Sequence, residues 1–236
     1  MKIIYEDNHL LVVLKPINMP VQEDDSKDLD MLTYLKKYLK EKYNKPGNVY
    51  LGLVHRLDRP VSGIMVFAKT SKAASRLSEQ IRNHTFKKEY MAVLCGKTPK
   101  KDILVDKLLK NPKTNTTVVS EKGKESILSY ELIKYKNNYS LVKINLETGR
   151  SHQIRVQFSS RGYPLYGDQK YNKKALPKQQ IALFANKLEF IHPVTKEKLF
   201  FEEELPNFEP WNIFKRWKSF FFLYKSSEGL ELLFIR

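Results

Sequence analysis

One cysteine, Cys95, stands in a chain of 236 residues. That excludes an internal disulfide and all but excludes a cysteine-based zinc site. No stretch approaches the roughly 18 uninterrupted apolar residues of a membrane span. The opening Met1-Lys-Ile-Ile-Tyr-Glu-Asp places acids where a secretory signal needs an apolar run. Phosphate loops of the G-x-x-x-x-G-K-[ST] and G-x-G-x-x-G types are missing, as is a G-x-S-x-G nucleophile elbow. The five histidines, at 9, 55, 84, 152 and 192, lack metal-ligand spacing. Neither a metal nor any other cofactor is expected, and a cytoplasmic location without membrane attachment is. Acidic residues are also scarce: 26 Asp and Glu against 42 Lys and Arg leave a net charge of +16. Such a balance suggests a polyanionic partner, RNA or DNA before an anionic membrane. What remains is ordinary globular composition, 42% hydrophobic and 29% charged, enough for one large domain or two small ones.

The apolar pattern reads as runs of strands with few helices. Ile3–Tyr5 and Leu10–Leu14 flank a Glu-Asp-Asn turn as a hairpin. Asp28 to Tyr43 repeats Met31, Leu32, Leu35, Tyr38 and Leu39 at helical spacing behind an Asp cap. Ile64–Ala68 is a strand, followed by a helix capped by Thr70 or Ser71, with Ala73, Ala74, Leu77 and Ile81 inward. Strands are expected at 89–95, 126–135, 139–146, 181–191 and 198–201, and a loop-rich segment at 97–124. The fold class is α+β: a largely antiparallel mixed sheet with flanking helices. Residues 1–209 form the main domain. Residues 210–236, crowded with aromatics and basic residues, form an extension read as a helix packing on the core, in preference to an RNA-stacking surface.

Two segments concentrate polar chemistry beside apolar strands. In His55-Arg56-Leu57-Asp58-Arg59-Pro60 a carboxylate sits between two arginines. Such neighbours favour the ionised form, which suits a nucleophile better than a general acid. In Glu147-Thr-Gly-Arg150-Ser-His152-Gln153-Ile-Arg155-Val-Gln157, two arginines, a histidine and two glutamines suit phosphate and base-edge hydrogen bonds. That segment reads either as a strand, by alternation, or as a helix of roughly three turns with a Ser151 cap and a Gly162 stop. On spacing alone, a structural Asp–Arg salt bridge explains both segments equally well.

His55-Arg-Leu-Asp58-Arg-Pro-Val-Ser-Gly63 resembles the H-R-L-D-x-x-[ST]-S-G signature of the RluA-type pseudouridine synthases. Four further stretches resemble that family in order: Tyr5 to Pro16, a hairpin with a Lys15-Pro16 turn; Phe86 to Val93; Thr148 to Val156 with Gly162 to Asp168; and Phe190 to Thr195. Asn18 stands where the family usually has Gly, and an Asn tolerates φ > 0 well enough to keep the turn. Val61 replaces a usual Thr. The small RNA-binding domain that many relatives carry first is expected to be missing, and the segment after Pro210 matches nothing in the family.

The resemblance implies an isomerase that flips a uridine out of RNA, breaks its bond from ribose to uracil nitrogen 1 and rejoins the ribose to carbon 5. Asp58 is then the essential carboxylate, which either adds to the sugar or assists a glycal intermediate. Tyr90 is the tyrosine that stacks on the uracil and helps remove the proton from carbon 5. Arg155 is the arginine that pairs with the catalytic Asp, expected to hold both its oxygens. Arg56 fills the gap left in the RNA stack. Lys15, Arg59, Arg150 and His152 are expected to contact RNA or support the site. The partner is structured RNA, ribosomal before transfer RNA, met by a monomer. A catalytically idle RNA-binding protein of the same fold is the alternative. A glycoside hydrolase fits poorly, since no second carboxylate accompanies Asp58 in these motifs.

Overall fold

In the computed structural model, residues 1–214 are described in full, together with the backbone of 221–226 and 229–234. Strand β1 (Lys2–Glu6) pairs antiparallel with β2 (Leu10–Lys15), as the hairpin pattern predicts. Helix α1 (Met31–Lys42) follows, its first turn capped by the Asp30 carboxylate, which accepts the Thr33 N–H at 3.0 Å. After the two-residue strand β3 (Gly52–Leu53) comes β4 (Ser62–Ala68), then α2 (Ser71–Arg82), capped by Thr70. Strand β2 pairs with β4, and the period-2 alternation of both divides their side chains between two cores. Leu11, Val13, Met65 and Phe67 meet Met31, Leu35 and Leu39 of α1. Leu10, Val12, Ile64 and Val66 meet Ala73 and Leu77 of α2. The two helices therefore cover opposite faces of these strands.

The chain continues through β5 (Lys87–Cys95), β6 (Lys101–Asn111), β7 (Thr116–Val119), β8 (Lys124–Lys136) and β9 (Tyr139–Leu146). Helix α3 (Gln153–Ser159) leads to β10 (Leu183–Ile191) and β11 (Lys198–Glu202). The sheet runs β1-β2-β4-β10-β5-β9-β8-β6-β7, with β3 against β4 and β11 against β10. Among the described strands only β4 and β10 pair in parallel, so the mixed, largely antiparallel class is the one observed. Gly63, at φ 138°, lies against that pairing: a Cβ there would stand 2.4 Å from the Ala185 carbonyl oxygen. Asn137 and Asn138 both take positive φ in the turn from β8 to β9.

Three expectations are corrected. Residues 101–119 are not loop but the β6–β7 hairpin. Its strands carry Leu104 and Leu108 inward while Ile103, Val105 and Leu109 stay exposed, so the alternation that marks a half-buried strand is blurred. Of the two readings of the 153–159 segment the helix is observed, at two turns instead of three, with Gly162 ending it at φ 81°. Its Ncap is His152, with no side-chain cap, rather than Ser151. The extension opens with a 3-10 turn, Trp211–Ile213, whose Trp211 and the following Phe214 are buried against Met91, Val93, Leu141 and Phe184. Beyond it the backbone forms an antiparallel ladder of β12 (Phe221–Ser226) and β13 (Gly229–Phe234) where a helix was expected. Trp217 and its neighbours at 215–220 lie outside the described residues.

Candidate active site

The loop from β3 to β4 carries Asp58 to the edge of a cleft of about 1300 Å³. Its backbone turns back on itself, the Asp58 carbonyl accepting the Val61 N–H at 2.9 Å. His55 anchors the start of the loop: its Nε2 accepts the Val66 N–H of β4 at 3.1 Å, which requires that nitrogen to be unprotonated. Lys15 anchors the end. Its ammonium is fully buried and donates to the carbonyls of Pro16, Arg59 and Val61 at 2.9, 2.9 and 2.8 Å. Three donors meeting three acceptors fit an ammonium, although burial pushes its pKa down to about 7 against the opposing pull of Asp58. Lys15 is therefore not an RNA contact: the Lys-Pro turn buries it, and it fastens the Asp58 loop to β2. Asn18, just beyond, takes φ 58°, as the turn requires.

Arg155 arrives from α3 with its side chain 6% exposed. Its Nη1 donates to Asp58 Oδ2 at 2.9 Å. The two-pronged pair expected with Asp58 is made elsewhere: Nε and Nη2 donate to Asp168 Oδ2 and Oδ1 at 2.9 and 2.7 Å. Asp168 has no exposed side-chain surface and also accepts the N–H groups of Lys170 and Tyr171. Gly167, at φ 71°, makes this turn possible, since a Cβ there would strike the Gln180 carbonyl oxygen at 2.1 Å. Sequence reasoning quoted Asp168 within a motif and gave it no role. The usable signal was a carboxylate after Gly in a segment whose arginines outnumber its acids.

His152 sits in a left-handed conformation, φ 54°. Burial pushes its pKa down to about 4, against the opposing charge of Asp58. Its Nδ1 is 2.6 Å from the Tyr171 hydroxyl, and its Nε2 is 3.9 Å from Asp58 Oδ2. The Tyr171 oxygen accepts the Thr117 N–H at 2.8 Å, so its own hydrogen is available to His152. The Arg155 guanidinium lies 5.1 Å from the Tyr171 ring centre. Tyr171 is a second residue the sequence reading missed.

Tyr90, on β5, is 6% exposed and lines the same cleft. Burial, and then the nearby Asp58, push its pKa up, so it is a neutral phenol. Gln153 and Gln157 do not face RNA. Gln153 Oε1 accepts from the Arg150 N–H and the Thr148 hydroxyl at 3.0 and 2.8 Å. Gln157 Nε2 donates to the carbonyls of Leu104 and Ser126, both at 3.2 Å, which holds α3 beneath the β6–β8 ribbon. Arg59 is engaged locally with Ser26, Asp28 and the Asn18 carbonyl rather than standing free. Arg56 is exposed on the rim, and exposed Arg150 donates its Nε–H to the Glu125 carbonyl at 3.0 Å.

Comparison with known proteins identifies the family. A family model described as RNA pseudouridylate synthase matches residues 9–160. A ribosomal large subunit pseudouridine synthase D of Zymomonas mobilis is 37% identical over 221 residues, 87% of this chain and 69% of that protein. An uncharacterized RNA pseudouridine synthase of Bacillus subtilis is 34% identical over 209 residues, 86% of this chain and 68% of that protein. The solved structure of human RNA pseudouridylate synthase domain containing 4 has the same fold, with a TM-score of 0.73 at 22% identity, covering 87% of this chain and 88% of that one. A model spanning most of the chain, and relatives above 30% identity along most of its length, make it a member of the RNA pseudouridylate synthase family, an isomerase of uridine in RNA.

Proposed function

We propose that the chain converts uridine to pseudouridine in ribosomal RNA of the large subunit, with Asp58 as the reacting carboxylate. The observation that carries the reading is the 2.9 Å contact between Arg155 and Asp58 at the edge of the cleft, with Tyr90 beside it. Asp58 keeps 27% of its side chain exposed while its arginine is buried, so one oxygen is held and the rest faces the cleft. That is what a carboxylate needs to meet the ribose of a flipped nucleotide. Tyr90, as a neutral phenol, offers its ring face to the uracil, and we assign it stacking rather than proton removal. Arg155 fixes the carboxylate, and His152 presents an N–H at the rear of the site. Arg56 at the rim suits the place left in the RNA stack. The choice of large-subunit RNA rests on relatives such as the ribosomal large subunit pseudouridine synthase D of Zymomonas mobilis. The protein acts as a monomer.

The test is incubation with unmodified transcripts of large-subunit ribosomal RNA and of transfer RNAs, followed by nucleoside analysis. Pseudouridine is expected in the ribosomal transcript, and Asp58→Asn is expected to form none while its RNA affinity stays near wild type. Conversion of transfer RNA alone overturns the substrate. Conversion by Asp58→Asn above a few per cent of the wild-type single-turnover rate overturns the role of the carboxylate.

A further inference from the structure

Lys88 stands on β5 two residues before Tyr90, so strand alternation turns both side chains to one face. It is 9% exposed, yet it has no hydrogen-bond or ion-pair partner among the described residues. Its ammonium lies beneath the 147–150 loop: a Cβ on Gly149 would come 3.4 Å from Nζ. The Glu147 carbonyl of that loop is occupied by His84 Nδ1 at 3.1 Å. What surface Lys88 keeps opens on the cleft, where Arg82, beside His84, and Arg150, beside Gly149, are also found. An ammonium mostly withdrawn from water, with only a little surface left at the cleft and no partner, weakens the fold unless an anion arrives to meet it. Burial accordingly pushes its pKa down.

We propose that Lys88 is the floor of a phosphate subsite, which takes a backbone phosphate of the RNA strand next to the flipped uridine while Arg82 and Arg150 approach from the rim. The assignment rests on the reading of the Asp58–Tyr90 cleft as the uridine site. An ammonium offers three donors and no acceptor, which matches phosphate oxygens. The uracil edge alternates acceptors with a donor, and an ammonium serves it only in part. The free protein carries an unpaired charge so that the bound strand finds it without a partner to displace.

The experiment compares wild type, Lys88→Met and Lys88→Arg as full chains on an unmodified large-subunit ribosomal RNA transcript. Read together are Kd across a salt series, the single-turnover rate at saturating enzyme, and Tm without RNA. Lys88→Met is expected to melt about 2–4 °C higher, because the unpaired charge is gone. Its Kd at low salt should weaken roughly 5- to 10-fold, with the slope of log K against log salt reduced by about 0.7, one phosphate contact. The loss in Kd should exceed any loss in the saturated rate, and Lys88→Arg should keep the wild-type slope. An unchanged slope overturns the subsite. So does a fall in Tm, which marks a structural lysine, or a loss confined to the saturated rate, which marks a contact with the uracil. Asp58→Asn in the same series separates the underlying reading: conversion surviving in that variant overturns the uridine site itself, whatever Lys88 does.

Discussion

Arg155 is shared between two carboxylates, and the shares are unequal. Asp168, wholly buried, takes two of its N–H groups, and Asp58, half in the cleft, takes one. The guanidinium is thus oriented by Asp168 and only then orients Asp58. Asp168→Asn would leave the positive charge short of a partner and turn an amide N–H toward it. A loss of about 3–5 kcal/mol in stability is expected, read by urea unfolding. At a temperature where the variant is still folded, the single-turnover rate should fall on the order of 100-fold, because a displaced arginine misplaces the carboxylate. Arg155→Lys should fail in the same step, since a point charge cannot span both acids. A wild-type rate in either variant contradicts this order of dependence. That Asp58, Tyr90 and Arg155 share one cleft was legible because family motifs mark them. Asp168 and Tyr171 were not, because their roles arise from a turn meeting a helix through space, and nothing in linear spacing states that meeting. Lys15 was misread for a simpler reason: a lysine in a basic chain is taken for surface unless the carbonyls around it are known.

At the scale of elements, Glu6 joins β1 to its neighbours. Its carboxylate accepts from Lys42 and Tyr38 of α1, from Tyr43 and from Lys69, at 2.8, 3.0, 2.6 and 2.9 Å. Burial resists its ionisation, but these hydrogen bonds outweigh it and lower its pKa from 4.5 to about 2. The ionised form therefore binds its partners in the folded chain only. The stability it contributes is fully present above pH 4.5 and is lost as pH falls through about 2. Glu6→Gln should cost about 1–3 kcal/mol at neutral pH, discounted for solvent screening, and should flatten the acid limb of the stability curve between those values. Urea unfolding at a series of pH values checks it. Most elements were legible from periodicity and caps, α1 and α2 to within a few residues. The β6–β7 hairpin was not, because an exposed ribbon buries too few side chains to show an alternation. The 153–159 segment defeated both readings in part: a helix buried all round, with its glutamines inward, displays neither period.

For the molecule as a whole, charge is the property that reaches farthest. Among the described residues the cleft is lined by nine Lys and Arg side chains against five acidic ones, in a chain of net charge +16. If about five phosphates are engaged, log K should fall with log salt at a slope near −3.5. Affinity would then drop roughly 100-fold between 50 and 200 mM salt. Filter binding on a structured RNA measures it, and a flat response would mean that shape rather than charge holds the complex. The same whole-molecule view bears on how the site comes into being. Strand β10 lies between β4 and β5 and is made long after either. Asp58 belongs to the β4 side of that seam, and Tyr90 to β5 beyond it. During synthesis the chain carries Asp58, Tyr90 and Arg155 well before residue 191 exists to close the sheet. A chain stopped before Leu183 is therefore expected to form no pseudouridine, because the strand that joins the two sides of the site has not yet been made.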